Sequence, residues 1–397
     1  MSSRRRTTIA VIFGGRSVEH DVSIVTGHQI MKAFPSENDD IVPVYISRDG
    51  RWFTGEALSD LDNFRDDDIQ RHDGVRSCLL SPDTRHHGLI VDPLAGRFSK
   101  SEVRRIDVAF PALHGSHGED GSIQGLFELA DIPYVGYATL GSALANDKIM
   151  TKAVLRQAGI PVLDDSWCTR DTWFDRPDAV IEELLARFEL PLYVKPATLG
   201  SSIGIGRADT EALLRASIDI AANFDRRILI EPAVTKGIEI NCSVMGLGDQ
   251  YEASPLEQPV SWDEFLSYED KYLRGSEGMK SAERQVPAPI SAALTRRIQE
   301  TSIAAFKAVD GRGIARIDYL VRPDQNELFL NEINTMPGSL AFYLWREDGV
   351  TSTDLVQKLV QLARAAHAEK RRNTYDYKTN LVEIASQQGL KGAKGAK

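Results

Sequence analysis

The chain reads as an α/β protein whose first unit is built on a parallel sheet. Short apolar runs rich in Val, Ile and Phe alternate with segments of helical apolar spacing. Glycine-bearing turns follow those runs, GGRS after Ile9 to Phe13 and the polar loop Gly115 to Gly121 after Val108 to Leu113. The 397 residues, 42% of them apolar, exceed what a single core holds, so two or three domains are expected.

Each element follows from its own pattern. Ile9 to Phe13 is a first β-strand: a basic leader precedes it, as in a signal peptide, but the apolar run is short and breaks at Gly14-Gly15. Val22 to Phe34 reads as a helix, Asp40 to Ile46 as a second strand and Val108 to Leu113 as a third. Residues 47 to 107 are polar, with Trp52-Phe53 marking a hairpin, and read as an elaboration on the domain edge. The helix Ile123 to Leu129 and a short strand at Pro133 to Val135 complete a domain over 1–144. A small mixed domain spans 145–234. It has a helix in NDKIMTKAVLRQAG closed by Gly159, strands at Pro191 to Pro196 and Arg227 to Glu231, and a helix at Thr210 to Ala222. A third unit over 235–367 has strands at Glu239 to Met245, Gly313 to Val321 and Glu327 to Ile333. Its helices are Ser291 to Val309 and the closing Ser352 to His367. The polar tail 368–397, ending GLKGAKGAK, has the composition of a disordered end.

Composition excludes several classes. A formal net charge of −10 argues against nucleic-acid binding over the whole body. No apolar run is long enough to span a membrane. Cys78, Cys168 and Cys242 are scattered, which reads as buried thiols in a reducing cytoplasm rather than a disulfide or zinc framework.

Three segments carry chemistry. In LNEINTMPG, Glu332 and Asn334 are two apart, so a strand points them to one face. With Asp318 of ARIDYL they form an all-oxygen set suited to Mg²⁺ rather than zinc. In LPLYVKPATLGSSIGIG a strand delivers Lys195 into a glycine-rich loop, whose backbone N–H groups can wrap a phosphate while the lysine supplies charge. Lys148, in ANDKIMTK, can approach the same phosphates from another element. In RILIEPAVTKGIEINCSV a strand ends at Glu231, and Pro232-Ala233-Val234 has the size of a hinge that reads an adenine edge, with Glu239 for a ribose hydroxyl. A plain inter-domain linker explains that segment equally well.

Taken together, GGRSVEHDVS, PALHGSHGEDGSIQG, GSALANDKIMTK, YVKPATLGSSIG, IEINCSV, YEDKY, ARIDYL and NEINTMPG resemble the D-alanine–D-alanine ligase family of the ATP-grasp superfamily, from about Ile9 to His367. The resemblance implies a three-domain ATP-grasp fold with ATP between the second and third domains. It implies Lys148, Lys195 and Ser202 at the phosphates, and Glu231, Pro232, Ala233, Val234 and Glu239 around adenine and ribose. Asp318, Glu332 and Asn334 would hold two Mg²⁺ ions, for which Mn²⁺ can substitute. Glu19 would meet the ammonium of the first D-amino acid, with Ser201 and Tyr272 as its network and His114 near the carboxylate. Arg316 and Gly338 would stabilise the tetrahedral intermediate, and Tyr268 and Lys271 would belong to a closing loop. The implied activity joins two D-alanines for peptidoglycan precursors, in a cytoplasmic homodimer.

The residues alone leave blander roles open. His114 reads equally as a satisfied structural histidine, Tyr272 as a packing aromatic, Arg316 as a partner of Asp318's neighbours, and Glu19 as the cap of the helix near Val22. One segment departs from the family. After NTMPG, relatives carry a Ser/Thr-rich stretch with a serine that holds the second substrate's carboxylate. Here Ser339 to Trp345 reads SLAFYLW, so without a gap Tyr343 takes the serine position, beside Leu344, and Ser339 is the alternative hydroxyl. A phenol reaches further and fills more space. This leaves the second substrate open among D-alanine, D-serine, D-lactate and larger acceptors.

Overall fold

The computed structural model describes residues 6–35, 37, 39–65, 68–94, 100–259 and 284–388. They form three sheets. The first has the strands β1 (Thr7–Gly14), β2 (Asp39–Ile46), β3 (Trp52–Thr54), β4 (Arg76–Leu80), β5 (Gly88–Val91), β6 (Glu102–Arg105) and β7 (Val108–Pro111), in the order β6-β5-β4-β3-β2-β1-β7. Only β2, β1 and β7 run parallel, with Ile9 opposite Ile41 and Val108. The apolar run of β1 is continuous because both of its faces are covered. Ile9, Val11 and Phe13 face one core, with Ile30 of the helix His20–Ala33 and Leu355 and Leu359 of the helix Ser352–Lys370. Ala10 and Ile12 face the other, with Phe127 of the helix Ser122–Ala130. Each fully buried leucine contributes about 1.5–3 kcal/mol of burial. Thr351 opens the helix Ser352–Lys370 with a reciprocal capping box to Asp354. This late helix packs against β7 and the helix His20–Ala33, with Thr353 donating to the Ala33 carbonyl.

The second sheet is antiparallel: β8 (Ser166–Thr169), β9 (Leu192–Pro196), β10 (Gly206–Ala208) and β11 (Arg227–Pro232), ordered β10-β9-β11-β8. The helices Pro177–Arg187 and Glu211–Phe224 contribute to its core. The third, also antiparallel, has β12 (Ile238–Leu247), β13 (Gln250–Pro259), β14 (Arg284–Gln285), β15 (Gly313–Arg322) and β16 (Glu327–Asn334), ordered β14-β13-β12-β15-β16, under the helix Ala292–Ala308.

The expected parallel sheet is therefore a three-strand core inside a mixed sheet. Residues 47 to 107 extend its edge through the antiparallel strands β3 to β6. Pro133 to Val135 is no strand; it makes one parallel bridge, Ala109 to Tyr134. β13 escapes the sequence reading because YEASPLEQP is polar and carries a proline at each end of its second half, yet the turn at Gly248 returns it along β12. A helix, Leu381–Gln388, lies in the tail, while the expected disordered end falls outside the described residues. The three cysteines are buried and free.

Candidate active site

The metal-ligand candidates meet on two adjacent strands. Asp318 on β15 lies opposite Glu332 on β16, and Arg316 lies opposite Asn334. Directly opposed residues share a face. A β-bulge makes this possible. Tyr319 pairs with Leu330 and Asp318 with Glu332, so Asn331 is the extra residue. Before it, Leu328 and Leu330 are buried; after it, Ile333 is. The core-facing parity switches at Asn331, which turns Glu332 and Asn334 toward the cleft.

Arg316 donates to both oxygens of Asp318, at 2.7 Å each, and Asn334 Nδ2 donates to Asp318 Oδ2 at 2.9 Å. Arg316 thus pairs with Asp318 itself. Burial works against the guanidinium's charge, but Asp318 outweighs it and raises the arginine pKa well above its ordinary value. Among the described residues no three His, Cys, Asp or Glu side chains form a metal cluster. The set Asp318, Glu332 and Asn334 nonetheless fits a hard cation in chemistry and placement: two carboxylates and an amide oxygen on one face.

The lysines arrive from the second unit. Asp147 caps the helix Lys148–Gln157 by accepting from the N–H groups of Ile149 and Met150. Lys148 Nζ donates to the Leu199 carbonyl at 2.6 Å and lies 3.9 Å from Glu332 Oε2. Lys195, near the end of β9, donates to Asn331 Oδ1 at 2.9 Å. Glu231 is buried and pairs with both Lys195 and Lys152. Burial pushes its carboxyl up, but the two ammonium groups outweigh that and hold it at about 2. The side chain of Glu231 therefore anchors lysines, and the neighbouring segment Pro232 to Val234 stays half-buried as β11 leads toward β12. Glu239 is exposed on β12, on the same face as Asn241, two residues on. Ser202 sits in the glycine-rich loop with a positive φ of 59°, beside Ser201 at 53°.

The third wall comes from the first unit. Glu19 precedes the helix His20–Ala33 but makes no side-chain cap bond; its carboxylate accepts from Ser201 Oγ instead. Gly115 and Gly200 cradle it: a Cβ on Gly115 would come within 2.6 Å of Glu19 Oε2, and one on Gly200 within 3.2 Å. Glu119 accepts from Gly115 N at 2.9 Å and from Met336 N at 3.0 Å, tying the first unit to the end of β16. Burial, then the nearby Glu19, raises its pKa to about 7. His114 is buried against Thr26 Oγ1 at 2.9 Å, and burial lowers its pKa to about 4. A neutral, satisfied imidazole results.

Glu19, Glu119, Lys148, Gly200, Glu332 and Asn334 line one cleft. Gly338 has open space at its Cβ position. Ser339, Leu340 and Ala341 then take φ values of 52°, 50° and 49°, a left-handed turn of non-glycine residues. The helix Phe342–Arg346 follows, with Leu344 and Trp345 buried and Tyr343 half-buried. Tyr268, Lys271 and Tyr272 lie outside the described residues.

Four residues of this region were not singled out from sequence. Lys152 lies one helical turn after Lys148, a spacing that places both on one face. Glu119 stands within the polar GSHGEDG loop. Asn331 and Glu257 carried no local signal, because a bulge and the partner strand give them their positions.

The chain resembles known proteins over nearly its whole length. The family profile described as "D-ala D-ala ligase N-terminus" matches residues 8–137, and "D-ala D-ala ligase C-terminus" matches 154–361. A D-alanine–D-alanine ligase of Natranaerobius thermophilus is 35% identical over 378 residues, 94% of this chain and 99% of the relative. The solved structure of the VanG D-Ala:D-Ser ligase from Enterococcus faecalis aligns with a TM-score of 0.77 and 28% identity, covering 90% of this chain and all of that one. The structure of the D-alanine-D-alanine ligase from Coxiella burnetii aligns at 0.75 with 28% identity, over 92% and 98% of the two chains.

Proposed function

The chain belongs to the D-alanine–D-alanine ligase family, and on that premise we propose that it joins two D-alanines to D-alanyl-D-alanine at the expense of ATP, for peptidoglycan precursors. One observation carries the reading. Carboxylates from the first unit, a lysine from the second and the oxygen donors of the third line a single cleft. Such a site holds a cationic amine, a polyphosphate and a hard cation side by side.

In this mechanism Glu19, steadied by Ser201, binds the ammonium of the donor D-alanine. Lys148 and Lys195 hold the phosphates, with the glycine-rich loop and Ser202 around them. Pro232 to Val234 read adenine through their backbone, and Glu239 takes the ribose. The donor carboxylate attacks the γ-phosphorus, its oxygen forms the new P–O bond, and ADP leaves. Asp318, Glu332 and Asn334 would hold Mg²⁺, which neutralises phosphate charge when bound. The free amine of the acceptor D-alanine then attacks the acyl carbon, and the surplus proton on its nitrogen passes to the departing phosphate. Arg316 and the Gly338 N–H stabilise the oxyanion, and inorganic phosphate departs with the carbon–oxygen bond pair. His114 packs near the donor carboxylate as a neutral imidazole. On the same reading Tyr272 joins the Glu19 and Ser201 network, and Tyr268 and Lys271 help to keep water from the acyl phosphate. Two ions replaceable by Mn²⁺, a homodimer and a cytoplasmic location belong to the same reading. So do domain boundaries at 144/145, 234/235 and 367/368.

A second reading keeps the chemistry and changes the acceptor. Tyr343 favours it, since relatives include a D-Ala:D-Ser ligase and this phenol stands where a serine is usual. The test is ADP release with Mg²⁺-ATP and D-alanine, with mass analysis of the product and a chelator control. Efficient D-alanyl-D-alanine formation, lost with chelator and regained with Mg²⁺, supports the first reading. ADP release that requires D-serine or D-lactate selects the second, and no release with any D-amino acid refutes both.

A further inference from the structure

The active face continues across the third sheet and ends at a locked tyrosine. Glu332, Asp318, Asn241 and Glu257 are successive cross-strand partners on β16, β15, β12 and β13. All four therefore point to one face. With strands about 4.8 Å apart, Glu257 lies roughly 10 Å from Asp318. The lysines meet this row at its β16 end; Glu257 lies at the other. For an acyl phosphate formed at the β16 end, the Glu257 end is the part of this face away from the lysines, and it is the end we assign to the incoming nucleophile.

Glu257 is 1% exposed. It accepts from the Tyr343 hydroxyl at 2.5 Å and from Asn241 Nδ2 at 3.1 Å, and Arg284 lies 3.4 Å from its other oxygen. The Arg284 guanidinium also covers the Tyr343 ring, 4.2 Å from the centroid. Two residues on, Trp345 anchors the same helix by donating to Ser243 Oγ at 3.0 Å. The phenol is thus held at its hydroxyl, its face and its backbone. Its proton is committed to Glu257, so it offers the acceptor a shape rather than a donor. The acceptor carboxylate is left to Arg316, which has N–H groups beyond the two spent on Asp318.

We propose that Glu257 determines acceptor specificity: by tethering Tyr343 it fixes a wall at the acceptor end of the active face and confines the acceptor to a small D-amino acid. This rests on the ligase reading above. The experiment is a competition between D-alanine and D-2-aminobutyrate as acceptors, read as the mass ratio of the two dipeptides. One methylene in a pocket is worth about 10- to 200-fold. Glu257→Ala and Tyr343→Phe, which cut the tether from either side, are expected to raise the D-2-aminobutyrate share about tenfold. Glu257→Gln keeps an oxygen for the phenol and should stay near the wild-type ratio. A merely structural role would change the amount of product and leave the ratio alone. Should Glu257→Ala fail to fold, Tyr343→Phe decides alone, since it removes one oxygen. An unchanged ratio in an active Tyr343→Phe enzyme overturns the inference and leaves the ligase reading intact. A wild-type chain that releases no ADP with any D-amino acid overturns both.

Discussion

Glu231→Gln tests the buried charge cluster that positions Lys195. Glu231 is 2% exposed and holds Lys152 and Lys195, themselves buried. Burial disfavours its charge, yet the lysines hold the carboxyl at about 2 against an ordinary 4.5. At about 1.4 kcal/mol per pH unit, that gap corresponds to roughly 3 kcal/mol of stability. Breaking a buried ion pair from one side costs about 3–5 kcal/mol, the same range. The glutamine strands two ammonium groups, so β9 and β11 should open more readily. Hydrogen exchange reads this directly: their slowest amides should exchange about 100-fold faster than in the wild type at pH 7. A depressed carboxyl pKa gives stability that is present above pH 4.5 and lost as pH falls through about 2. The gap between variant and wild type should therefore narrow below pH 4.5. Exchange in β9 and β11 within threefold of wild type at pH 7 would refute the reasoning.

Arg316→Lys replaces a fork bound to both oxygens of Asp318 by a point charge. We expect kcat for dipeptide formation to fall roughly 100-fold while the KM for ATP moves less than threefold, measured by steady-state ADP release. Glu119 provides a pH signature. Its folded pKa is raised to about 7, so the fold favours the protonated acid. That stability is full below about 4.5 and lost as pH rises through 7, by up to about 3 kcal/mol. Thermal melting from pH 5 to 8 should show the decline, and Glu119→Gln should flatten it; parallel curves would count against a shifted Glu119.

The sequence made some of this legible because local pattern and local structure agree. β1 reads as a strand because both faces are buried, and the helix Lys148–Gln157 reads as a helix because Asp147 caps it. The oxygen set on β15 and β16 was legible because a two-residue spacing survives on the near side of the bulge. What stayed hidden depends on partners distant in sequence. β13 is polar and gains its identity from pairing with β12. Glu257 gains its role from Tyr343, 86 residues later. Glu19 sits where a helix cap belongs, and only the loop at Ser201 shows that its carboxylate is used elsewhere.

The bulge at Asn331 has a consequence for how this site can vary among descendants of the gene. β16 contains one residue more than its partner requires, and Glu332 and Asn334 face the cleft because the bulge takes that residue out of the pairing. Replacing Asn331 by another polar residue alters its contact to Lys195 and leaves the pairing of the strand unchanged. Deleting its codon would leave Tyr319 opposite Leu330 and Asp318 opposite Glu332 in an unbroken ladder, with Leu330 and Ile333 still turned in and Glu332 and Asn334 still facing the cleft. The oxygen-bearing face is thus tolerant both of substitution and of loss at this position, and what a lineage would lose with the residue is the amide oxygen that meets Lys195.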